Sequence, residues 1–178
     1  IISDFAYGVI TKNLNEQIMK IAKKYSLKVF ADLQCSSQIG SITKFKDITL
    51  LSPNEREARL ALQDKESGLE LIANILFEKC NCQKLVMKLN SQGFIAYEKD
   101  GNNKISNQYF PALSVNPLDV TGAGDSLLAL MSVSLSLDLN MMETSALACF
   151  MSAVAVETIG NKPISKALLR ERVINYLS

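Results

Sequence analysis

Six short apolar runs, spaced by amphipathic helical stretches and then by tight turns, limit what this chain can fold into. "IISDF", "KVFADL" and "DITLLS" each read as a strand. Between the first two, from Asn13 onward, Leu14, Ile18, Ile21, Ala22 and Tyr25 fall on one helical face with lysines opposite. Asn13 and Glu16 have the spacing of an N-cap and its N3 partner. After the third run, "LLSPNEREARLAL" holds a helix start, with Ser52 as cap, Pro53 at N1 and Glu55 at N3. A further amphipathic helix carries Leu69, Ile72, Ala73 and Leu76. "KLVMKL", "GFIAYEK" and "KISNQYF" then follow quickly, broken by the turn sequences Ser91-Gln92-Gly93 and Asp100-Gly101-Asn102.

The last third is helical. Residues 122–137 and 143–158 are apolar or small almost all round, which implies helices buried on several sides. An amphipathic helix runs from about Ser165 to the end. Alternating strands and helices followed by a meander predict an α/β fold: an open, mostly parallel sheet with an antiparallel edge. No repeat, low-complexity segment or linker interrupts the 178 residues, so a single domain is expected.

Charge and residue usage exclude several function classes. The formal net charge is +1 and no long lysine or arginine run exists, so no field draws the chain to nucleic acid or an anionic membrane. No apolar stretch reaches the ~18 uninterrupted residues of a membrane span, and no basic-then-apolar signal segment opens the chain. Cys35, Cys80, Cys82 and Cys149 lack the regularity of a disulfide framework. Cys80-Asn81-Cys82 is too tight for a zinc knuckle, so these are read as structural thiols of a reducing, cytoplasmic setting. Histidine is absent, which removes histidine bases, Ser-His triads and histidine metal sites.

Chemistry concentrates in "NPLDVTGAGDSLLAL", residues 116–130. A helix N-terminus exposes unpaired N–H groups and the positive end of the dipole. Glycines remove the Cβ atoms that would block a bulky anion, so this turn is a natural phosphate cradle. Asp125 falls in the first helical turn. It can simply complement the dipole by roughly 0.3–1 kcal/mol, with the glycines as a turn. A carboxylate beside a bound phosphate would be repelled, however, unless a metal or a proton transfer justifies it, and the pairing makes sense if Asp125 takes a proton from a hydroxyl attacking that phosphate.

Asn54 and Glu57 form a second constellation. They lie at i and i+3 beyond a strand end, where ligands collect in open α/β sheets. An amide and a carboxylate there suit a hydrated Mg²⁺, which keeps waters and takes few protein ligands. A solvated helix face is the other reading.

With these residues in place, the chain resembles the ribokinase-like (PfkB) carbohydrate kinases. "DVTGAGD" looks like the family signature, and "PNEREA" carries its N-x-x-E motif as Asn54 and Glu57. "KLNSQGFIAYE" resembles the strand-turn-strand before the signature, with Gly93 matching and Lys88 and Asn90 standing where Thr and Gly are common. "AVAVETIGNKP" resembles the stretch that closes the adenine pocket. Within the family, "SDFAYG" and "ADLQ" look most like the heptose-phosphate kinase branch, with Tyr7 and Gln34 replacing two lysines.

The resemblance implies a ribokinase-like sheet with helices on both faces. It also implies that residues 1–178 are the C-terminal, nucleotide-binding part of one sugar-kinase domain, without the lid and most sugar contacts. The implied reaction is transfer of the ATP γ-phosphoryl to a hydroxyl of a sugar or sugar derivative. The implied roles are Asp125 as base, the amides of Gly122, Ala123 and Gly124 as anion hole, and Asn54 and Glu57 for Mg²⁺. Lys88, Asn90, Gly93 and Gly160 would border the nucleotide, and Asp119 and Thr121 would shape a K⁺ site. A homodimer through the lid region is implied as well. A non-catalytic nucleotide- or sugar-binding module and an inactive fragment of such a kinase stay open as alternatives. A dinucleotide oxidoreductase fits less well, because "GAGD" lacks the third fingerprint glycine and comes late in the chain.

Overall fold

The computed structural model describes residues 1–34, 41–114, 117–160 and 162–178; Cys35 and Asn116 lie outside them. Strands β1 (Ile2–Asp4), β2 (Phe30–Leu33), β3 (Leu50–Leu51) and β4 (Lys84–Lys88) are joined through helices α1 (Lys12–Lys24), α2 (Glu55–Leu62) and α3 (Leu69–Cys80). Strands β5 (Phe94–Lys99) and β6 (Ile105–Phe110) follow, then helices α4 (Ala123–Ser136), α5 (Met141–Val156) and α6 (Lys166–Leu177). All six apolar runs are strands, and the three C-terminal helices stand where their composition placed them.

The six strands form one sheet in sequence order. β1, β2, β3 and β4 pair in parallel, with Ile2 opposite Ala31, Phe30 opposite Leu50, and Leu50 opposite Lys84. The β5–β6 connection is a tight turn, so that pair is antiparallel. Asp100 shapes the turn: its side chain accepts from the N–H groups of Asn102 and Lys104 at 2.8 Å each. The expected mostly parallel sheet with an antiparallel edge is therefore present.

The described residues group into two compact units. One comprises Ile1–Leu89 and Ile95–Asn107; the other comprises Asn90–Phe94 and Gln108–Ser178. In the first, right-handed crossovers between parallel strands stepping in one direction put their helices on one face. The core bears this out. Ala22 of α1, Ala58 of α2 and Ile72, Leu76 and Phe77 of α3 cluster with Ala31, Leu33, Leu51, Leu85 and Met87. Each fully buried leucine there contributes about 1.5–3 kcal/mol of transfer free energy. The alternate strand residues Phe30, Leu50, Val86 and Ala96 are buried too.

In the second unit, α4 and α5 pack along their lengths. Leu127, Leu128 and Met131 of α4 are buried, as are Ala148, Phe150 and Val154 of α5. α6 docks through a T-shaped Phe150–Tyr176 contact and an Arg172–Glu157 ion pair at 2.5 Å.

Two expected caps are corrected. α1 is capped by Thr11, whose hydroxyl accepts from Leu14 N–H at 3.2 Å, not by Asn13. Thr11 holds the extended cap conformation, and the helix starts at Lys12; Asn13 instead accepts from Gln17 on the surface. α2 is capped by Asn54 rather than Ser52. Ser52 N–H bonds Ala31 across the sheet and Lys88 N–H bonds the Pro53 carbonyl, so the strand-like path continues to Asn54 before the helix begins.

Candidate active site

The parallel strands of the first unit end at one edge, and charged side chains gather there. Asp4 closes β1 at 3% exposure; its carboxylate accepts from Ala6 N–H at 2.9 Å and pairs with the Lys44 ammonium. Asp32, near the end of β2, has no exposed surface. Its Oδ1 accepts from Leu33 N–H at 3.0 Å, and the Lys88 ammonium reaches both carboxylate oxygens at 2.8 and 2.9 Å. A register extended by one residue sets Ser52 beside Asp32, on the same face. Ser52 Oγ is buried and finds no hydrogen-bond partner among the described residues.

Asn54 stands in backbone register with Lys88. Asn54 and Glu57 form a reciprocal capping box: Asn54 Oδ1 accepts from Glu57 N–H and Glu57 Oε2 accepts from Asn54 N–H, both at 2.8 Å. Capping therefore accounts for the spacing of this pair. Glu57 is only 4% exposed. Among the described residues no group of three or more acidic, cysteine or histidine side chains could cage a metal ion. This donor set suits a hydrated cation held through water rather than a direct ligand shell.

The second unit carries the glycine loop. Gly122 is the N-cap of α4 at φ +78°, a conformation glycine takes without strain, and as a glycine it supplies no side-chain cap. Ser126 N–H makes the first intrahelical bond, to Gly122 at 2.9 Å. Ala123, Gly124 and Asp125 thus occupy the first three helical positions, whose N–H groups precede the intrahelical ladder. Ala123 N–H turns back to the Val120 carbonyl at 3.3 Å. Asp125 is half-buried at the third position.

Asp119 stands just upstream. Its Oδ1 accepts from Thr121 N–H at 2.9 Å and its Oδ2 from Gly160 N–H at 3.3 Å. The N–H and hydroxyl of Thr121, then the N–H of Gly160, hold the Asp119 carboxyl below its ordinary value. Asp119, Thr121 and Gly160, expected for two different roles, are therefore brought together. Asn90 opens a short 3₁₀ turn at φ +55° and Gly93 closes it at φ +101°. A Cβ on Gly93 would lie 2.1 Å from the Phe110 carbonyl oxygen and 2.7 Å from Ala112 N, so glycine there has a packing reason.

The model of the pfkB family of carbohydrate kinases matches residues 2–167. The chain belongs to that family. Among curated relatives, the bifunctional protein HldE of Aliarcobacter butzleri is 31% identical over 165 residues, covering 90% of this chain and 32% of that protein. HldE of Syntrophotalea carbinolica is 26% identical over 180 residues, covering 99% of this chain and 35% of that protein. The chain thus spans about a third of the length of the relatives it matches. Phosphofructokinase-2 from Escherichia coli, solved with substrates and products, superposes with a TM-score of 0.77 at 15% identity, covering 96% of this chain and 54% of that one. Arabidopsis thaliana ribokinase, solved with ribose and ATP, superposes at 0.73 with 22% identity, covering 92% and 53%. These likenesses establish the ribokinase-like fold of this pfkB chain.

Reading the sequence missed Asp4, Asp32 and Lys44. The signal available was an acid closing an apolar strand run, in "IISDF" and "KVFADL", since a buried acid needs a partner.

Proposed function

We propose that this chain supplies the ATP-handling portion of a sugar kinase, transferring the γ-phosphoryl of ATP to a hydroxyl of a sugar or sugar derivative. Asp125 accepts the proton of the attacking hydroxyl. That oxygen bonds to the γ-phosphorus while the bond to the bridging oxygen breaks, and ADP leaves with the negative charge. The N–H groups of Gly122, Ala123 and Gly124 hold the transferring phosphoryl and offset the charge on its oxygens. Lys88, Asn90, Gly93 and Gly160 border the nucleotide. Asn54 and Glu57 would hold a magnesium ion through its waters, and that ion would neutralise phosphate charge. A potassium ion near Thr121 would share Asp119 with the two N–H groups that this carboxylate already accepts.

A single observation supports this reading most: a glycine at φ +78° opens a 14-residue, partly buried helix whose third residue is an aspartate. A dipole-complementing acid needs no glycine-cleared approach in front of it, whereas a base beside a phosphate does.

A calorimetric titration of the intact protein with a non-hydrolysable ATP analogue and Mg²⁺ tests the nucleotide half. The parent is expected to bind, and Gly124→Val, which crowds the cradle, to lose at least about tenfold in affinity. A parent that does not bind the analogue would count against the reading.

A further inference from the structure

We infer that the Lys88 ammonium is the resident cation of a metal-type site built by Asp32 and Ser52, and that it keeps divalent ions out of that site. These donors are other than Asn54 and Glu57, which the proposed function gives to magnesium. Neither the site nor its test depends on the kinase reading.

Parallel pairing sets Ser3, Asp32 and Ser52 in a row across the strand ends. Ser3 of β1 is opposite Asp32 of β2, and the Ala31–Leu51 pair puts Ser52 beside Asp32 one step on. Matched positions point to the same face, so the carboxylate lies between two hydroxyl residues. Further back on that face, Phe30, Leu50 and Val86 are buried. The face therefore changes from hydrocarbon to oxygen donors at its carboxyl end, and such donors suit Mg²⁺ and Mn²⁺.

Two observations mark a cation site. Asp32 has no exposed surface, so its charge requires a cation. The Lys88 ammonium supplies it, straddling both carboxylate oxygens at 2.8 and 2.9 Å. Ser52 Oγ, on the same face, is buried and has no hydrogen-bond partner among the described residues. A buried hydroxyl left unpaired costs free energy. A divalent ion collects about six oxygens and would use it. Lysine thus fills the charge of the site and leaves one of its ligands idle. The stem of Lys88 is fixed at its root: its backbone stands in register with Asn54, and its N–H donates to the Pro53 carbonyl at 2.9 Å. Its side chain keeps 17% exposure, which gives an ion a way in once the ammonium is removed.

The test uses the intact protein without nucleotide and Mn²⁺ as probe, with free Mn²⁺ counted by its paramagnetic resonance signal. Lys88→Met should gain one Mn²⁺ site that the parent lacks. Mn²⁺ should also raise its unfolding midpoint at least about 3 °C more than that of the parent. Lys88→Arg keeps a cation, and Asp32→Asn with Lys88→Met removes the carboxylate; both should gain nothing. Adding Ser52→Ala to Lys88→Met should weaken the new site at least about threefold, because one ligand is lost. A Lys88→Met protein that does not fold alone should fold when Mn²⁺ is present. Binding no greater than that of the parent overturns the inference, as does a variant that stays unfolded with Mn²⁺. So does a new site that survives Asp32→Asn, or a parent whose own Mn²⁺ binding is lost in Asp32→Asn. A parent that binds no ATP analogue would sink the kinase reading and leave these Mn²⁺ counts unchanged.

Discussion

Lys88 reaches over β3 and sets its ammonium 2.8 and 2.9 Å from the two carboxylate oxygens of Asp32, joining the ends of two strands that are not neighbours in the sheet. Asp32 has no exposed surface and Lys88 little, so each charge depends on the other. Lys88→Met would leave a buried carboxylate without its partner, at a cost of about 3–5 kcal/mol. The double variant Asp32→Asn with Lys88→Met removes both charges and should regain most of that loss. Denaturant unfolding of parent, single and double variants checks this; a single variant as stable as the parent would show that the pair is dispensable.

Gly93→Ala places a methyl group 2.1 Å from the Phe110 carbonyl oxygen at a backbone φ of +101°. Neither the clash nor the conformation relaxes without moving the 110–112 backbone. A loss of at least about 1–3 kcal/mol is expected from the strain alone. Gly101→Ala, where a Cβ meets nothing within 4 Å, should be nearly silent and serves as the control.

Burial pushes the Cys80 thiol up to about 11 and the Cys82 thiol up to about 12, from an ordinary value of 9.0. Folding therefore favours the neutral thiols. Their contribution is complete below about pH 9 and is lost as the pH rises through 11 to 12. The unfolding midpoint should fall over that window, and Cys80→Ser with Cys82→Ser should flatten the fall. In the native protein at pH 8, both thiols should resist a water-soluble alkylating reagent until denaturant is added. Rapid native labelling of either would contradict their placement.

Asn54 and Glu57 show how capping and metal binding can be separated. Glu57→Gln keeps an acceptor oxygen for Asn54 N–H, so stability should change little, whereas Asn54→Ala removes the cap at about 0.5–2 kcal/mol. If Glu57 orients the hydration shell of magnesium, Glu57→Gln should need about 10–100-fold more Mg²⁺ for half-maximal turnover, as expected for an outer-sphere partner. An unchanged Mg²⁺ requirement would leave Glu57 a capping residue only.

Strand and helix positions followed from local periodicity, and the α4 start at Gly122 followed from its glycines. The α2 cap moved from Ser52 to Asn54 because strand pairing carried the chain two residues further, a tertiary effect that capping preference alone does not foresee. The partners of Asp32 and Asp119 were not legible, because Lys88 lies 56 residues from Asp32 and Gly160 lies 41 from Asp119. Only sheet register and helix packing bring such residues together. The grouping of Asp119, Thr121 and Gly160 likewise replaced two separate expectations by one connected loop pair.

The central claim is that Asp125 acts as the base, and single-turnover phosphorylation by Asp125→Asn in the intact protein tests it most directly. Asparagine keeps the size and the helix position but cannot take the hydroxyl proton. Turnover should fall by about 10²–10⁴, with affinity for a non-hydrolysable ATP analogue within about threefold of the parent. Turnover within about tenfold of the parent would show that Asp125 complements the helix dipole and is not the base.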